Sequence, residues 1–100
     1  MRLNTDQVRS IRLAATEAFG AGVKVWVFGS RADDGRKGGD IDLLIRPDPG
    51  AAGPSFARKI RMLSLLERAL GERKVDLVIE QEQDSRPIVA IARESGIQIQ

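Results

Sequence analysis

Two acidic residues lie two positions apart in a short apolar segment. Asp40 and Asp42 fall within residues 40–45, where the other positions are isoleucine or leucine. Because side chains alternate across a β-strand, both carboxylates would project from one face, with the isoleucines and Leu43 on the other. Neighbouring carboxylates repel each other and raise each other's pKa unless a positive charge separates them. A hard divalent cation such as Mg²⁺ relieves that repulsion, so the spacing indicates a metal site.

A third acid interrupts a later apolar segment. Asp76 is the one charged residue within positions 75–79. If the two segments are neighbouring strands, three carboxylates converge, and three carboxylates around two metal ions can transfer phosphoryl or nucleotidyl groups. Each acid alone also has a structural explanation. Asp40 could cap the start of a strand, Asp42 could face solvent, and Asp76 could lie on the exposed side of an edge strand.

Upstream of the acids, a strand-like segment ends in Gly29, Ser30 and Arg31. Backbone amides at such a turn can bind a phosphate, which glycine lets approach closely, and the serine and arginine side chains can add donors. Nine residues separate Ser30 from Asp40, a loop long enough to bring this turn beside the carboxylates. An ordinary strand-terminating turn is the alternative, and the two acids that follow favour the phosphate site.

Composition excludes several kinds of chemistry. The 100 residues contain no Cys, His or Tyr, which excludes disulfides, thiolate nucleophiles, cysteine or histidine metal sites and Ser-His-Asp triads. The 16 basic and 14 acidic residues are interleaved and only four residues are aromatic, so a nucleic-acid partner is not expected. No apolar run reaches the ~20 residues of a membrane span and no signal peptide is visible, which predicts a cytoplasmic protein without a membrane partner.

Helix-like and strand-like segments alternate along the chain. Hydrophobic periodicity predicts helices over residues 4–19, from Ser55 to Gly71, and from Pro87 to Gly96. Strands are predicted over 23–28, 40–45 and 75–79, with a last short one over 97–100. The predicted fold class is therefore α/β or α+β, with one sheet in a single domain over residues 1–100. The second helix is expected to place five apolar residues on one face: Phe56, Ile60, Leu63, Leu66 and Leu70.

The joint pattern resembles the nucleotidyltransferase superfamily of DNA polymerase beta. Gly29 and Ser30, then Asp40 and Asp42, then a third acid at Asp76 follow the order of the superfamily's motif. The small size is similar to minimal nucleotidyltransferases, in particular the MNT antitoxins that pair with HEPN toxins. The resemblance implies a mixed β-sheet of three to four strands flanked by helices.

The resemblance also implies a role for each motif residue. Asp40, Asp42 and Asp76 would be the catalytic residues and would hold two Mg²⁺ ions, with Asp76 also helping to activate the attacking hydroxyl. Gly29 and Ser30, with Arg31, would bind ATP, whose AMP would pass to a tyrosine of the HEPN toxin and silence it. The chain has no tyrosine, so the acceptor tyrosine must be external, in a hetero-oligomer with the toxin.

The sequence departs from the family pattern at two positions. Asp33 stands where an arginine is common, and Gly39 replaces the serine that often precedes the first acid. Both changes bear on nucleotide binding and rate. Arg36 or Lys37 could still reach the phosphates, although the sequence slightly favours a solvated, mobile charged loop.

Two other functions fit the same chain. An antitoxin with a weak or inactive nucleotide site could neutralise its toxin by direct binding alone. A small-molecule transferase would need a further domain to hold the acceptor. Exposed apolar residues would form the surface for a partner, and the candidates are the leucines at 63, 65, 66 and 70 and the helix from Ile88 to Ile91; packing of most of them into the core is the alternative.

Overall fold

The computed structural model describes residues 3–29, 40–51 and 55–100. These residues form three helices and four strands in a mixed α+β arrangement, as the sequence predicts. The helices are α1 (Thr5–Phe19), α2 (Ser55–Leu70) and α3 (Pro87–Ser95). The strands are β1 (Lys24–Phe28), β2 (Ile41–Arg46), β3 (Val75–Ile79) and β4 (Ile97–Gln98). None of the helices in these ranges is long and apolar enough to span a bilayer.

The four strands form one sheet in the order β3-β2-β1-β4. Strand β1 runs antiparallel to both β2 and β4, whereas β2 and β3 run parallel. The parallel pair is joined by α2, which supplies the crossover that parallel strands require. Strand β3 consequently forms one edge of the sheet, and the two-residue strand β4 forms the other.

The two faces of the sheet are covered differently. Helices α1 and α2 pack on one face, over the alternate side chains Ile41, Leu43 and Ile45. Helix α3 covers part of the other face, where a smaller cluster contains Phe28, Leu44, Val89 and Ala92. The prediction that the isoleucines and Leu43 of β2 point into the core is therefore confirmed, and the opposite face carries Asp42.

Local signals place the ends of the helices. The Asn4 side chain accepts a hydrogen bond from the Gln7 amide at 2.8 Å, and the Gln7 side chain accepts one from the Asn4 amide at 2.9 Å. This reciprocal capping box fixes Asn4, rather than Thr5, as the N-cap of α1. Gly20 ends that helix. Helix α3 begins at Pro87, because the amide that proline lacks has no partner in the first turn of a helix, and it ends before Gly96.

The predicted apolar face of α2 is partly wrong. Phe56 and Ile60 are 75% and 49% exposed, whereas Met62 and Leu66 are buried against α1 and the sheet. A groove of about 320 Å³ lies between Phe56, in the first turn of α2, and the edge strand β3, so in the described part of the chain this side chain does not pack against the sheet. Among the residues proposed as a partner surface, Leu66 is buried. The other three leucines pack partly into the core: Leu63, Leu65 and Leu70. Ile88 and Ile91 on α3 are exposed.

Candidate active site

Asp42 and Asp76 occupy directly opposed positions on the parallel strands β2 and β3. Their side chains share the face of the sheet opposite the main core, because each lies between residues that point toward α1 and α2. The pKa of Asp42 is raised above its usual value, first by burial, then by the charge of Asp76 and a hydrogen bond with it. The structure therefore brings these two predicted acids together as an electrostatically unfavourable pair.

Asp40 lies at the rim of this pair. It immediately precedes β2, its side chain is 52% exposed, and its Oδ2 atom lies 3.8 Å from Lys74 Nζ. Its charge contributes to the raised pKa of Asp42, and Lys74 partly offsets it. In the described part of the chain no three acidic side chains are grouped closely enough to hold a metal ion. Asp42 and Asp76 therefore come together as expected, whereas Asp40 lies beside them and is paired with Lys74.

Gly29 follows β1 directly beside Asp42, because Phe28 pairs with Asp42 across the antiparallel strands. Its φ of 71° lies in the left-handed region that favours glycine. A Cβ added at this position would collide with the Oδ2 atom of Asp42. Glycine thus allows the turn after β1 to contact the carboxylate. The other two predicted nucleotide-binding residues, Ser30 and Arg31, lie outside the described residues.

The comparison with known families agrees with this geometry. Residues 20–99 match the model of the family described as polymerase beta, nucleotidyltransferase. The chain belongs to this family. The match covers all four strands, α2 and α3, and includes Gly29, Asp42 and Asp76. A search of the curated proteins finds no sequence that matches the chain.

Family membership confirms three predictions made from the sequence. It confirms the resemblance to minimal nucleotidyltransferases of the polymerase beta superfamily, the mixed-sheet fold class, and nucleotidyl transfer as the general activity.

The acidic pair of the nucleotidyltransferase suits a hard cation. Asp42 and Asp76 provide oxygen donors from adjacent strands, and Mg²⁺ binds through one or two carboxylates while keeping several waters or phosphate oxygens. The raised pKa of Asp42 reflects burial and repulsion that a cation would offset. These two carboxylates, with Asp40 at their rim, could therefore hold the divalent metal that nucleotidyl transfer uses.

A second charged group on the same face escaped the sequence analysis. Glu80 directly follows β3, is 9% exposed at its side chain, and forms ion pairs with both Arg46 and Arg93. The Arg46 Nε atom lies 3.0 Å from Glu80 Oε2, and the Arg93 guanidinium lies 5.6 Å above the Trp26 ring. This group, which we call the Glu80 cluster, joins α3 to the ends of β2 and β3.

The signal for the Glu80 cluster was present but weak. Arg46 and Glu80 stand four residues after Asp42 and Asp76 on the same two strands, so they share the same face by period-two alternation. Arg93 can join them only through the packing of α3 across the sheet, which no local pattern reveals. The cluster holds α3 against the face of the sheet that also carries Asp42 and Asp76.

Proposed function

We propose that this nucleotidyltransferase transfers AMP from ATP to a hydroxyl of a partner protein. The acceptor we propose is a tyrosine of a cognate HEPN toxin, so that the chain acts as an antitoxin in a cytoplasmic hetero-oligomer. The observation that carries the proposal is the in-register pair of Asp42 and Asp76, which creates a need for positive charge at one point of the sheet. The absence of tyrosine from the chain is consistent with an external acceptor.

The proposed reaction is a displacement at the α-phosphorus of ATP. The acceptor oxygen forms a bond to that phosphorus, the bond to the β-phosphate bridging oxygen breaks, and pyrophosphate leaves. The hydroxyl proton passes to a carboxylate oxygen of Asp76, the more exposed acid of the pair. The turn at Gly29, with Ser30 and Arg31, binds the triphosphate and holds it in line with the acceptor.

Asp40, Asp42 and Asp76 are the proposed ligands of two Mg²⁺ ions. When held by these carboxylates, the ions would neutralise the charge that develops on the phosphate oxygens. The protein's own contribution is rigid placement. Asp42 lies between the buried residues Ile41 and Leu43, so neither its strand nor its register can shift without exposing core surface.

The exposed position of Asp76 supports a macromolecular acceptor. This residue lies on the edge strand β3, where a second protein can approach without crossing another strand. A small-molecule acceptor would need walls on the open side. Basic and acidic residues are interleaved along the sequence, which disfavours a nucleic-acid acceptor.

A weak or inactive antitoxin that works by direct binding remains the alternative. One contact favours it: Asp40 is paired with Lys74 rather than joined to the other two acids. A partner could then cover the exposed apolar residues without any transfer. The two proposals differ in whether nucleotide binding depends on metal and on Asp42.

Calorimetric titration with a non-hydrolysable ATP analogue, with and without Mg²⁺, tests this difference. We expect Mg²⁺-dependent binding that Asp42→Asn abolishes and that the matched control Asp6→Asn, an exposed acid on α1, retains. Intact mass of a co-expressed HEPN partner should then rise by one or more AMP groups only with the unmodified chain. Inhibition of the toxin that survives Asp42→Asn without any mass change would establish the alternative.

A further inference from the structure

Within residues 3–29, 40–51 and 55–100, no strand pairs with the outer edge of β3, which lies beside the candidate active site. The Ile41 amide donates to Lys74 O at 3.0 Å, and the Glu80 amide donates to Ile45 O at 2.8 Å. In a parallel ladder these bonds alternate, so the even-numbered residues of β3 bond to β2. The backbone groups of Val75, Leu77 and Ile79 therefore point away from the sheet.

One end of this edge is closed by a side chain. The Arg86 Nη2 atom donates a hydrogen bond of 2.7 Å to Ile79 O, and the same guanidinium is held by Asp84. Exposed sheet edges are commonly protected in this way. The remaining outward groups are at Val75 and Leu77, on either side of Asp76.

A groove follows the same edge. Its walls are the first turns of α2, strand β3 and the start of α3, and they include the exposed side chains Phe56 and Ile88. Lys59 and Arg86 also line it, and none of its lining residues in the described part of the chain is acidic. The groove thus combines apolar contact surface, positive charge and backbone groups that point away from the sheet.

We propose that the acceptor reaches the active site as an extended polypeptide segment that adds to β3 as a fifth strand. This inference rests on the proposed function, because it names the kind of acceptor that the acidic pair would modify. Backbone hydrogen bonds to Val75 and Leu77 supply sequence-tolerant affinity. Alternate side chains of the segment contact Phe56 and Ile88, and an acidic residue pairs with Lys59.

Strand addition would place the acceptor hydroxyl close to the carboxylates of Asp42 and Asp76. A residue opposite Asp76 projects its side chain from the same face as Asp76, with Cβ atoms roughly 4.5–5.5 Å apart. In an antiparallel pairing Asp76 falls at a non-hydrogen-bonded position, where opposed side chains are closest. A serine, threonine or tyrosine there, or at a diagonal position, brings its hydroxyl to the carboxylates.

A second copy of the chain is a poorer occupant of the edge. Symmetric antiparallel pairing about Leu77 would set the two copies' Asp76 residues at diagonal positions, roughly 7–8 Å apart. Each of these acids already faces Asp42 across β2 and β3. A partner segment with a neutral hydroxyl at this point avoids the added repulsion.

Amide hydrogen exchange of the full chain, followed by NMR, tests the proposal directly. The probe is a synthetic peptide of about ten residues with alternating valine and threonine, one central tyrosine and one glutamate. We expect the Val75 and Leu77 amides to exchange rapidly in the free chain and to become at least tenfold protected at millimolar peptide. The Asp76 and Val78 amides, already bonded to β2, should change little. Unchanged exchange at both odd positions would overturn the proposal.

Two controls separate strand addition from general binding. A peptide N-methylated at alternate amides keeps the side chains and loses the backbone donors, so it should give no protection. Val75→Pro removes an outward amide without touching the bonds of Lys74 and Asp76 to β2, and it should weaken peptide binding at least tenfold. Equal binding of the N-methylated and unmodified peptides to the unmodified chain would contradict the proposal.

The same samples distinguish failure of the inference from failure of the proposed function. With ATP and Mg²⁺, AMP on the peptide tyrosine alongside odd-position protection supports both. Protection without transfer to either peptide or partner would retain the docking edge and remove the transferase. Transfer to a partner protein that leaves Val75 and Leu77 unprotected and is unaffected by Val75→Pro would retain the transferase and reject strand addition.

Discussion

Asp42 and Asp76 face each other across the parallel pairing of β2 and β3, on the side of the sheet away from the main core. Like charges at directly opposed strand positions destabilise a sheet. Burial adds to the cost, as the raised pKa of Asp42 indicates. The Asp42–Asp76 pair therefore lowers the free energy of unfolding of the metal-free chain, and a bound cation can offset this loss.

Asp42→Asn should therefore stabilise the metal-free chain at neutral pH. Removing one charge relieves the cross-strand repulsion, which is expected to raise the free energy of unfolding by up to about 1 kcal/mol. For a chain of this size that corresponds to roughly 4–8 °C in Tm, measurable by thermal denaturation in the presence of a chelator.

Added Mg²⁺ should reverse the ranking. Binding to the native state raises the Tm of the unmodified chain, whereas the variant has lost a ligand and should respond much less. Asp6→Asn, which removes an exposed carboxylate on α1, should behave like the unmodified chain in both conditions. A variant less stable than the unmodified chain without metal would show that Asp42 is held by favourable contacts instead.

Gly29→Ala should impair both folding and nucleotide binding. The positive φ costs an alanine roughly 1–2 kcal/mol, and the added methyl would displace the Asp42 carboxylate. Gly71→Ala is a matched control, because Gly71 has a similar φ of 82° with no atom within 4 Å of its added Cβ. Thermal denaturation should show a larger loss for Gly29→Ala, and calorimetry should show loss of Mg²⁺-dependent nucleotide binding for that variant only. Equal behaviour of the two variants would remove the steric argument.

Asp84→Asn should produce a pH-dependent loss of stability. The Asp84 carboxylate accepts hydrogen bonds from the Arg86 guanidinium and from the Gln81 and Arg86 amides, which lower its pKa well below the usual range. A lowered pKa in the folded state means that the stabilisation is present above the unfolded value of about 3.9 and is lost as the pH falls further.

We expect the Tm difference between Asp84→Asn and the unmodified chain to be full at pH 7 and to shrink steadily below about pH 4. Glu82→Gln, an exposed charge change in the same loop, should show no such trend. A Tm difference that stays constant from pH 7 to about pH 3 would indicate that the Asp84 contacts do not depend on its charge.

Much of the fold could be predicted because its signals are local. Asn4 and Gly20 delimit α1, Pro87 and Gly96 delimit α3, and the acid-bearing strands keep a clear period of two. The sequence alone does not show that β2 and β3 are neighbours, since strand order depends on how α2 crosses the sheet. In the structure the two strands are neighbours, and Asp42 lies directly opposite Asp76.

The features that the sequence did not predict have a common physical origin in long-range packing. Phe56 and Ile60 have the right helical spacing, but both are exposed, and in the described residues a groove lies between Phe56 and the edge strand β3. Asp40 has the right spacing from Asp42, and its half-exposed carboxylate also lies 3.8 Å from Lys74, which precedes β3. Neither outcome can be read from periodicity, because each depends on where another element lies.

Glu80→Gln should destabilise the fold. The Glu80 carboxylate is almost fully buried between Arg46 and Arg93 and links α3 to two strands. Glu80→Gln keeps the size of the side chain and removes its charge, which should lower the free energy of unfolding by about 1.5–3 kcal/mol. Thermal denaturation should show the loss, and a double-mutant cycle with Arg46→Gln should give a coupling of roughly 0.5–3 kcal/mol.

Nucleotide affinity should be spared by the same change. Glu80 is four residues from Asp76 along β3, a separation of about 13 Å, so its charge acts on the position of α3 rather than on the acidic pair. Calorimetry below the Tm of Glu80→Gln should therefore give the same Mg²⁺-dependent affinity as the unmodified chain. Loss of that affinity with stability unchanged would instead place Glu80 in the nucleotide site, and would move the boundary of the active site to the far end of β2 and β3.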